Sequence, residues 1–561
     1  MKEFFLKLRF NWKSGLTVSL VAIPLSISLA VAAGASPTQG IITAIWAGLF
    51  ASIFGGSNFN IVGPTGALSG ILATFAFING PDKFGLLAMA AGALILIAWM
   101  LKLERYLIYI PANTIQGFTL GVAFIIAFNN FNFAFGLSGL PPHERFIENL
   151  IESIRHVGSV SWVALITFAL FLGAMFVIER LIKRFHSIPQ LPPATIVAPF
   201  GMVLGYLSTA KFIPITIATL GSRYSDIAPK IFLSVSFVGG FNRTLIVTAF
   251  TVALIAILET MLSAKIADGM TKTKHDKRKE MFGLGLANIV CGFMGGIPST
   301  AALARTALNI KSGATHRSSA FVSSVMVAVI SIFFLTYFKY LPLPVIAAIL
   351  TMVAIKMVER EHLERMWHVD KKSFAVAMIV ATITVYEDPI IGIMVGAAIS
   401  LIIFLDTLSK GQFDMVVNDD ENTVSCHYHG CDIEEISEKS HTLVYSIKGH
   451  LTYVDGQAHI SRFETDLGGV ENVVLRLREL YFIDLDGVDA FDEIVEVLEK
   501  QDKKVYVTGT NVFSMVILRQ SHHFNRLEKE GRVFPHTSVA LKKLGCDLRV
   551  SHSHDHTEVL A

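Results

Sequence analysis

Residues 48–70 read GLFASIFGGSNFNIVGPTGALSG, and residues 285–307 read GLANIVCGFMGGIPSTAALARTA. Each begins as an apolar helix that ends at a glycine pair, Gly55-Gly56 or Gly295-Gly296. Each continues through a short irregular piece, a proline (Pro64 or Pro298) and small hydroxylated residues, then opens a new helix of small residues. Glycine and proline stop a helix, and backbone left non-helical at membrane depth is tolerated only where protein or a water-filled cavity surrounds it. The helix that starts there presents unpaired N–H groups and the positive end of its dipole. Pro64 and Pro298 are expected in the first turn of these helices. Thr65, Ser299 and Thr300 can cap them or donate to a ligand. Glycines also serve plain helix packing in membranes, so one copy alone says little. The first copy is expected to start inside and the second outside, and broken spans in two inverted halves point to a transporter site. Facing helix N-termini suit an anion and need no metal.

The remainder of the chain fits a membrane setting. Of 561 residues, 52% are hydrophobic and 16% charged, against roughly 25% charged in an average soluble protein. The mean hydropathy is +0.55. Apolar runs near span length fall at about 14–34, 38–55, 61–78, 84–101, 111–133, 160–182, 194–208, 242–264, 282–294, 297–310, 318–338, 342–358, 373–387 and 390–408, which makes 14 segments. Lys and Arg concentrate in one set of loops, among them Lys7, Arg9, Lys102, Arg184, Lys272 to Lys279, Arg317 and Arg360 to Lys372. Both termini belong to that set, so both are expected on the cytoplasmic side of the cell inner membrane. The loop at 136–159 is then external, with a short amphipathic helix. No small-residue cleavage site follows the first apolar run, so it reads as a retained span. The net charge of +2 gives no hint of a nucleic-acid partner. The cysteines, Cys291, Cys426, Cys431 and Cys546, form no disulfide framework.

Ionisable side chains inside a span are costly and mark function. The two notable ones are Glu259, in IAILETMLSAK, and Arg305, in TAALARTALN. Glu259 and Ser263 share a helix face at i and i+4. A carboxylate beside an anion site repels the anion until a proton or sodium ion neutralises it, which is a coupling device. Arg305, expected about two turns into its helix, adds positive potential or pairs with Glu259. A structural Glu–Arg pair is the plain alternative. Asp388 needs no more than a capping role, and Lys356 with Glu359 to Arg365 reads as a cytoplasmic amphipathic continuation of a span.

After Leu408 charges become dense and apolar runs shrink to strand length. The domain plan is a membrane part at 1–408, a linker at 409–440, a small α/β domain at 441–545 and a disordered tail at 546–561. HTLVYSIKGHLTY, VENVVLRLREL and VYVTG read as strands, with a helix over DGVDAFDEIVEVLEKQDK. No P-loop or dinucleotide fingerprint is present, which argues against an ATP-driven pump. CHYHGC (426–431) and SHSHDH (551–556) lack a second ligand set at zinc spacing, so no metal or other cofactor is expected. No nucleophile–base set is found, and an enzyme is not expected.

The whole chain resembles the SulP family of anion transporters, with a C-terminal STAS domain. The motifs that carry the resemblance are GLTVSLVAIPLSISLAVAAG, FNIVGPTGALSG, ILETMLSAKIAD and GGIPSTAALARTALNIKSGA. The resemblance implies a uracil-permease-like α-helical fold of two inverted seven-segment repeats, a homodimer, and an elevator-like motion. It implies that Thr65, Gly66 and Ala67, with Ser299, Thr300, Ala301 and Arg305, line the anion site, and that Glu259 and Ser263 couple a cation. Leu25 and Leu29 stand where many relatives carry Gln and an aromatic residue, so Ser26 and Ser28 are the polar candidates of the first span. In FIDLDGVDAF, Asp484 and Asp486 occupy the regulatory STAS loop. Asp486 stands where signalling relatives are phosphorylated, so it is expected to act as a fixed negative cap, and a cytoplasmic protein partner remains open. Retention of Arg305 leans the substrate toward sulfate. Bicarbonate, a dicarboxylate, a passive anion channel or exchanger, and a signalling scaffold are the competing readings.

Overall fold

The computed structural model describes residues 2–109, 111–137, 140, 143, 146–184, 192–224, 227, 230–233, 242–387, 389–419, 423–427, 440–465 and 467–545. Asp388, His429 and the 546–561 tail with its SHSHDH stretch lie outside the described residues. Two units form, Met1–Ser400 and Leu401–Ala561.

The first unit is helical. Its elements are α1 (Lys2–Ala32), α2 (Pro37–Phe54), β1 (Val62–Gly63), α3 (Gly66–Asn79), α4 (Phe84–Met100), α5 (Ala112–Phe128), α6 (Phe131–Phe135), α7 (Phe146–Arg155), α8 (Trp162–Arg184), α9 (Pro193–Thr209) and α10 (Leu220–Arg223). There follow α11 (Arg243–Thr271), α12 (Lys277–Phe293), β2 (Thr300–Ala301), α13 (Leu303–Lys311), α14 (Ser318–Phe334), α15 (Leu343–Met357), α16 (Arg360–Val369), α17 (Lys371–Tyr386) and α18 (Pro389–Ser409), whose last turns lie beyond Ser400. All fourteen apolar segments contain a helix, and α7 is the short helix expected in the 136–159 loop. Among the described residues, eight helical stretches are long and apolar enough to cross a membrane. The expected continuation beyond Lys356 is instead a separate helix, α16, because Val358 is extended and ends α15.

The fourteen segments make two inverted seven-segment repeats, and the helices sort into two packed groups. In one, α12 packs on α4 and α2, α14 on α1 and α2, and α11 on α4. In the other, α5 packs on α17 and α15, and α8 on α15 and α9. The groups meet where α3 touches α5 and where α1 touches α15 and α9. Glycines let α4 and α12 approach closely. A Cβ on Gly92 would lie 2.7 Å from the Gly285 carbonyl oxygen, and one on Gly292 would lie 2.4 Å from that of Gly85.

The third and tenth segments begin as extended chain. β1 and β2 pair antiparallel, Val62 opposite Ala301 and Gly63 opposite Thr300, and helix starts only afterwards. This corrects three expectations. Pro64 lies before the Thr65 N-cap, and Pro298 lies before β2, so neither occupies a first helical turn. Ala302, not Ser299 or Thr300, is the N-cap of α13. Arg305 stands in the first turn of α13 rather than two turns in. The cause is contact with the opposite half: the ladder holds the chain extended up to Pro64 in the first copy and after Pro298 in the second.

The second unit is a mixed sheet flanked by helices. Its elements are β3 (Gln412–Asp419), β4 (Thr423–His427), β5 (Ser440–Leu451), α19 (Gly456–Phe463), β6 (Asn472–Arg476), β7 (Leu480–Ile483), α20 (Leu485–Lys500), β8 (Lys504–Thr508), α21 (Val512–Leu518), α22 (His522–Lys529), β9 (Val533–Phe534) and α23 (Thr537–Lys543). The strand order is β4-β3-β5-β6-β8-β9, with β7 on β5. β3 is antiparallel to its neighbours, and β5, β6, β8 and β9 run parallel. Val473, Leu475, Val505 and Val507 are buried from the central strands against Phe491, Ile494 and Leu498 of α20. That run of apolar side chains is what a covered parallel strand requires.

Candidate functional site

The site is built from the two broken segments and α11. α3 and α13 start with no side-chain cap at Thr65 or Ala302, so neither helix offers its first N–H groups a side-chain acceptor. Thr65 and Thr300 turn inward instead. The Thr65 hydroxyl donates to Oε2 of Glu259 at 3.1 Å, and the Thr300 hydroxyl donates to the same oxygen at 2.5 Å. Next along α11, the Thr260 hydroxyl accepts from the Ala301 N–H at 3.1 Å. Glu259 is half-buried, whereas Thr65, Thr300 and Ala301 are buried.

Arg305 is fully buried beside them. Its Nη2 donates to the Pro64 carbonyl at 2.5 Å, its Nη1 lies against Gly63, and its Nε has no partner in the protein. A Cβ on Gly63 would come within 2.7 Å of Nη1. The guanidinium thus reaches from the second half to the entrance of the first half-helix. Among the described residues it makes no ion pair with Glu259. Two helix N-termini and a guanidinium come together here, a set of groups that suits an oxyanion, with the two hydroxyls donated to the carboxylate beside them.

Not every expected residue faces this point. The Ser299 hydroxyl donates to Asn288 Oδ1, and the Ser299 N–H does the same at 2.8 Å, so Ser299 is tied to α12. Ser263 lies one turn beyond Glu259 and bonds Asn60 Oδ1 and the Thr306 hydroxyl, each at 3.0 Å. Gly66 packs at the seam between the helix groups, where its Cβ would lie 2.3 Å from Ile126. Ala67 is buried in the first turn of α3. Ser26 and Ser28 are buried on α1, and neither hydroxyl has a partner in the protein.

Several polar residues were not legible as part of this region: Glu280, Asn60, Thr306, Thr43 and Asn288. Glu280 sits in the basic run KHDKRKE, which reads as solvated loop, yet only 4% of it is exposed. Its Oε2 accepts the Gly56 and Ser57 N–H groups, each at 2.7 Å, and its Oε1 accepts Asn60 Nδ2 at 2.6 Å. In the other half the Ile297 N–H is taken by the Thr43 hydroxyl at 2.8 Å. Among the described residues no group of three His, Cys, Asp or Glu comes together to hold a metal.

In the second unit, Asp484 rather than Asp486 caps α20. Its carboxylate accepts the Gly487 N–H at 2.8 Å, and Asp486 lies exposed in the first turn. An N-cap is extended so that its side chain folds back over the helix start, and the Asp484 backbone has that geometry.

Comparison with known proteins adds three findings. Residues 8–380 match the sulfate permease family, and residues 435–540 match the STAS domain. The chain is 28% identical over 526 residues to the putative sulfate transporter YvdB of Bacillus subtilis, covering 92% of this chain and 94% of that one. It is 23% identical over 524 residues to the bicarbonate transporter BicA of Picosynechococcus, covering 91% and 90%. Its fold matches the solved structure of SLC26A9 with a TM-score of 0.78 over 97% of this chain and 90% of that one, at 15% identity.

Proposed function

The chain belongs to the sulfate permease family, and from that premise we propose that it imports sulfate against its gradient, driven by protons or sodium. The coarser statement stands on its own: the chain is a multi-pass membrane anion transporter with a STAS domain, and not an enzyme. The observation that carries the finer reading is the shared carboxylate. Glu259 sits where the two half-helix starts meet and takes a hydroxyl from each. An ionised carboxylate there opposes a divalent anion, and a proton or sodium ion on it removes that opposition. Binding of cation and anion then favour each other, which is thermodynamic coupling.

On this reading Thr65, Thr300, Ala301 and Arg305 form the anion site, Gly66 and Ala67 contribute to it through the backbone at the start of α3, and Ser299, tied to Asn288 of α12, supports it. Glu259 is the coupling group, with Ser263 behind it. The helix group containing α1, α3, α11 and α13 carries the site past the group containing α5, α15 and α17 in an elevator-like motion. The protein works as a homodimer in the inner membrane with both termini cytoplasmic, a placement supported by the Lys and Arg distribution. Residues 441–545 serve as a regulatory STAS domain around Asp484 and Asp486, open to a cytoplasmic protein partner.

The test is uptake of labelled sulfate and bicarbonate into proteoliposomes under imposed proton or sodium gradients, for the wild type and Glu259→Gln. Concentrative sulfate uptake that follows one gradient, and ignores it in the variant, supports the reading and names the cation. Uptake of bicarbonate alone moves the substrate to the second reading, which the similarity to BicA favours. Gradient-independent flux in both proteins rejects coupling through Glu259.

A further inference from the structure

The two broken segments are tied down by different chemistry. In the second, neutral groups hold the backbone: Thr43 takes the Ile297 N–H, Asn288 takes the Ser299 N–H, and the Cys291 carbonyl takes the Gly296 N–H. In the first, a buried carboxylate does this work. Glu280 gathers three donors, the N–H groups of Gly56 and Ser57 and the Asn60 amide. The surroundings are shaped for that contact. A Cβ on Gly56 would lie 2.1 Å from the Asp276 carbonyl oxygen, and one on Gly283 would lie 2.6 Å from the Gly55 Cα. Arg317 donates to the Ile53 and Gly55 carbonyls at the same end of the break.

From Glu280 a line of hydrogen bonds runs toward the site. Asn60 Nδ2 donates to Glu280, and Asn60 Oδ1 accepts from the Ser263 hydroxyl. Ser263 lies against the Thr306 hydroxyl at 3.0 Å, and that hydroxyl accepts the Ile61 N–H at 3.2 Å. Ile61 precedes β1, Thr306 lies in the first turn of α13, and Ser263 follows Glu259 by one helical turn. The links beyond Glu280 therefore lie on, or lead directly into, elements that present site residues. Asn60, Ser263, Glu280 and Thr306 are all buried, so water does not replace a lost partner cheaply.

We propose that Glu280 is a positioning residue: through Asn60, Ser263 and Thr306 it sets the placement of the two half-helix starts against each other and against Glu259. Its bearing on transport rests on the reading of those starts as the anion site. Glu280 itself touches neither the anion nor the coupling cation. The order of donors and acceptors along the line is the testable part. A carboxylate at position 60 facing Glu280 puts acceptor against acceptor. Exchanging the two groups, Glu280→Gln with Asn60→Asp, restores a donor to face an acceptor between the two side chains, and the glutamine oxygen still takes the Gly56 and Ser57 N–H groups; the bond from Asn60 Nδ2 to the Thr260 carbonyl at 3.2 Å is lost in both Asp variants alike.

The readout is the geometry of β1 against β2. Val62 and Ala301 are opposite one another in the ladder, and antiparallel partners lie roughly 4.5–5.5 Å apart at Cα, within disulfide reach. In the full chain with its four natural cysteines replaced, Val62→Cys with Ala301→Cys is oxidised in membranes and the crosslinking rate measured. Asn60→Asp should slow crosslinking about tenfold, as expected for opposed acceptors left buried. It should also raise the sulfate KM in proteoliposomes by about tenfold at matched protein level. Asn60→Asp/Glu280→Gln, which still lacks the bond to the Thr260 carbonyl, should recover about threefold or more of each loss relative to Asn60→Asp. Glu280→Gln alone should fall between. If the exchange variant crosslinks no faster than Asn60→Asp, or fails to accumulate as folded protein, the proposal is wrong. If the wild type takes up neither labelled sulfate nor bicarbonate, the transport reading fails, and the crosslinking series still judges the line of bonds on its own.

Discussion

Thr65 and Thr300 come from opposite halves of the repeat and donate to the same oxygen of Glu259, at 3.1 and 2.5 Å. Two hydroxyls on one carboxylate oxygen act as a unit, so their contributions are not independent. Thr300→Val, which removes the shorter bond, should lower the apparent anion affinity about tenfold, and Thr65→Val by less. The double variant should depart from the sum of the singles by about 0.5–3 kcal/mol. A double-mutant cycle on uptake KM checks this, and strict additivity would count against a shared site.

Arg305 makes one clear hydrogen bond, to the Pro64 carbonyl, in a fully buried setting. Arg305→Ala removes a charged donor and about a side chain's volume, and should raise the anion KM by about tenfold to a hundredfold. Arg305→Lys should recover little of this, since a point charge on a flexible stem does not reproduce the planar fork. Equilibrium binding of labelled anion to the purified protein separates this loss from a change in transport rate.

Asp484 and Asp486 differ by position on α20, not by charge. Asp484→Ala should cost the domain about 1 kcal/mol by loss of the N-cap bond. Asp486→Asn should cost less than about 0.5 kcal/mol, since an exposed first-turn carboxylate acts only through the helix dipole. Hydrogen exchange of the α20 amides in the intact protein measures both.

His459 lies in the core of the second unit, its Nδ1 on the Tyr445 hydroxyl at 2.8 Å. Burial first, and the neighbouring Arg462 charge second, lower its pKa from 6.5 to about 4. A depressed histidine contributes stability that is whole above its unfolded value and lost as pH falls through the window from about 6.5 to about 4. Charging the buried ring across that window costs the fold about 3 kcal/mol. Protection of the β5 amides in the intact protein should therefore fall as the pH is lowered through it. The fall should be shallower in His459→Asn, and an equal fall in both would reject the assignment.

The membrane fold was legible because its signals are local. Apolar length marks each span, and the glycine–proline breaks mark the two interrupted segments. What the sequence misplaced depends on contact between distant stretches. Pro64 and Pro298 look like helix starters, but the β1–β2 ladder holds the chain extended up to the first and beyond the second. Glu280 looks like one more charge in a basic loop until Gly56, Ser57 and Asn60 close over it. Asp486 drew attention through its place in a motif, while the cap geometry belongs to Asp484. Glu259 is legible because a carboxylate inside an apolar helix stands out alone, whatever its partners.

The tie between Glu280 and Gly56 spans 224 residues of sequence, and synthesis must cross that interval. Of residues 55–65, Gly56, Ser57 and Ile61 leave the ribosome with backbone N–H groups whose acceptors, Glu280 and Thr306, belong to the second repeat. They wait until α12 and α13 are made. The first repeat is therefore an unfinished object during biogenesis, and a chain stopped before α12 should be degraded rather than accumulate. Assembly of the second repeat onto the first is what lets residues 55–65 remain in the bilayer.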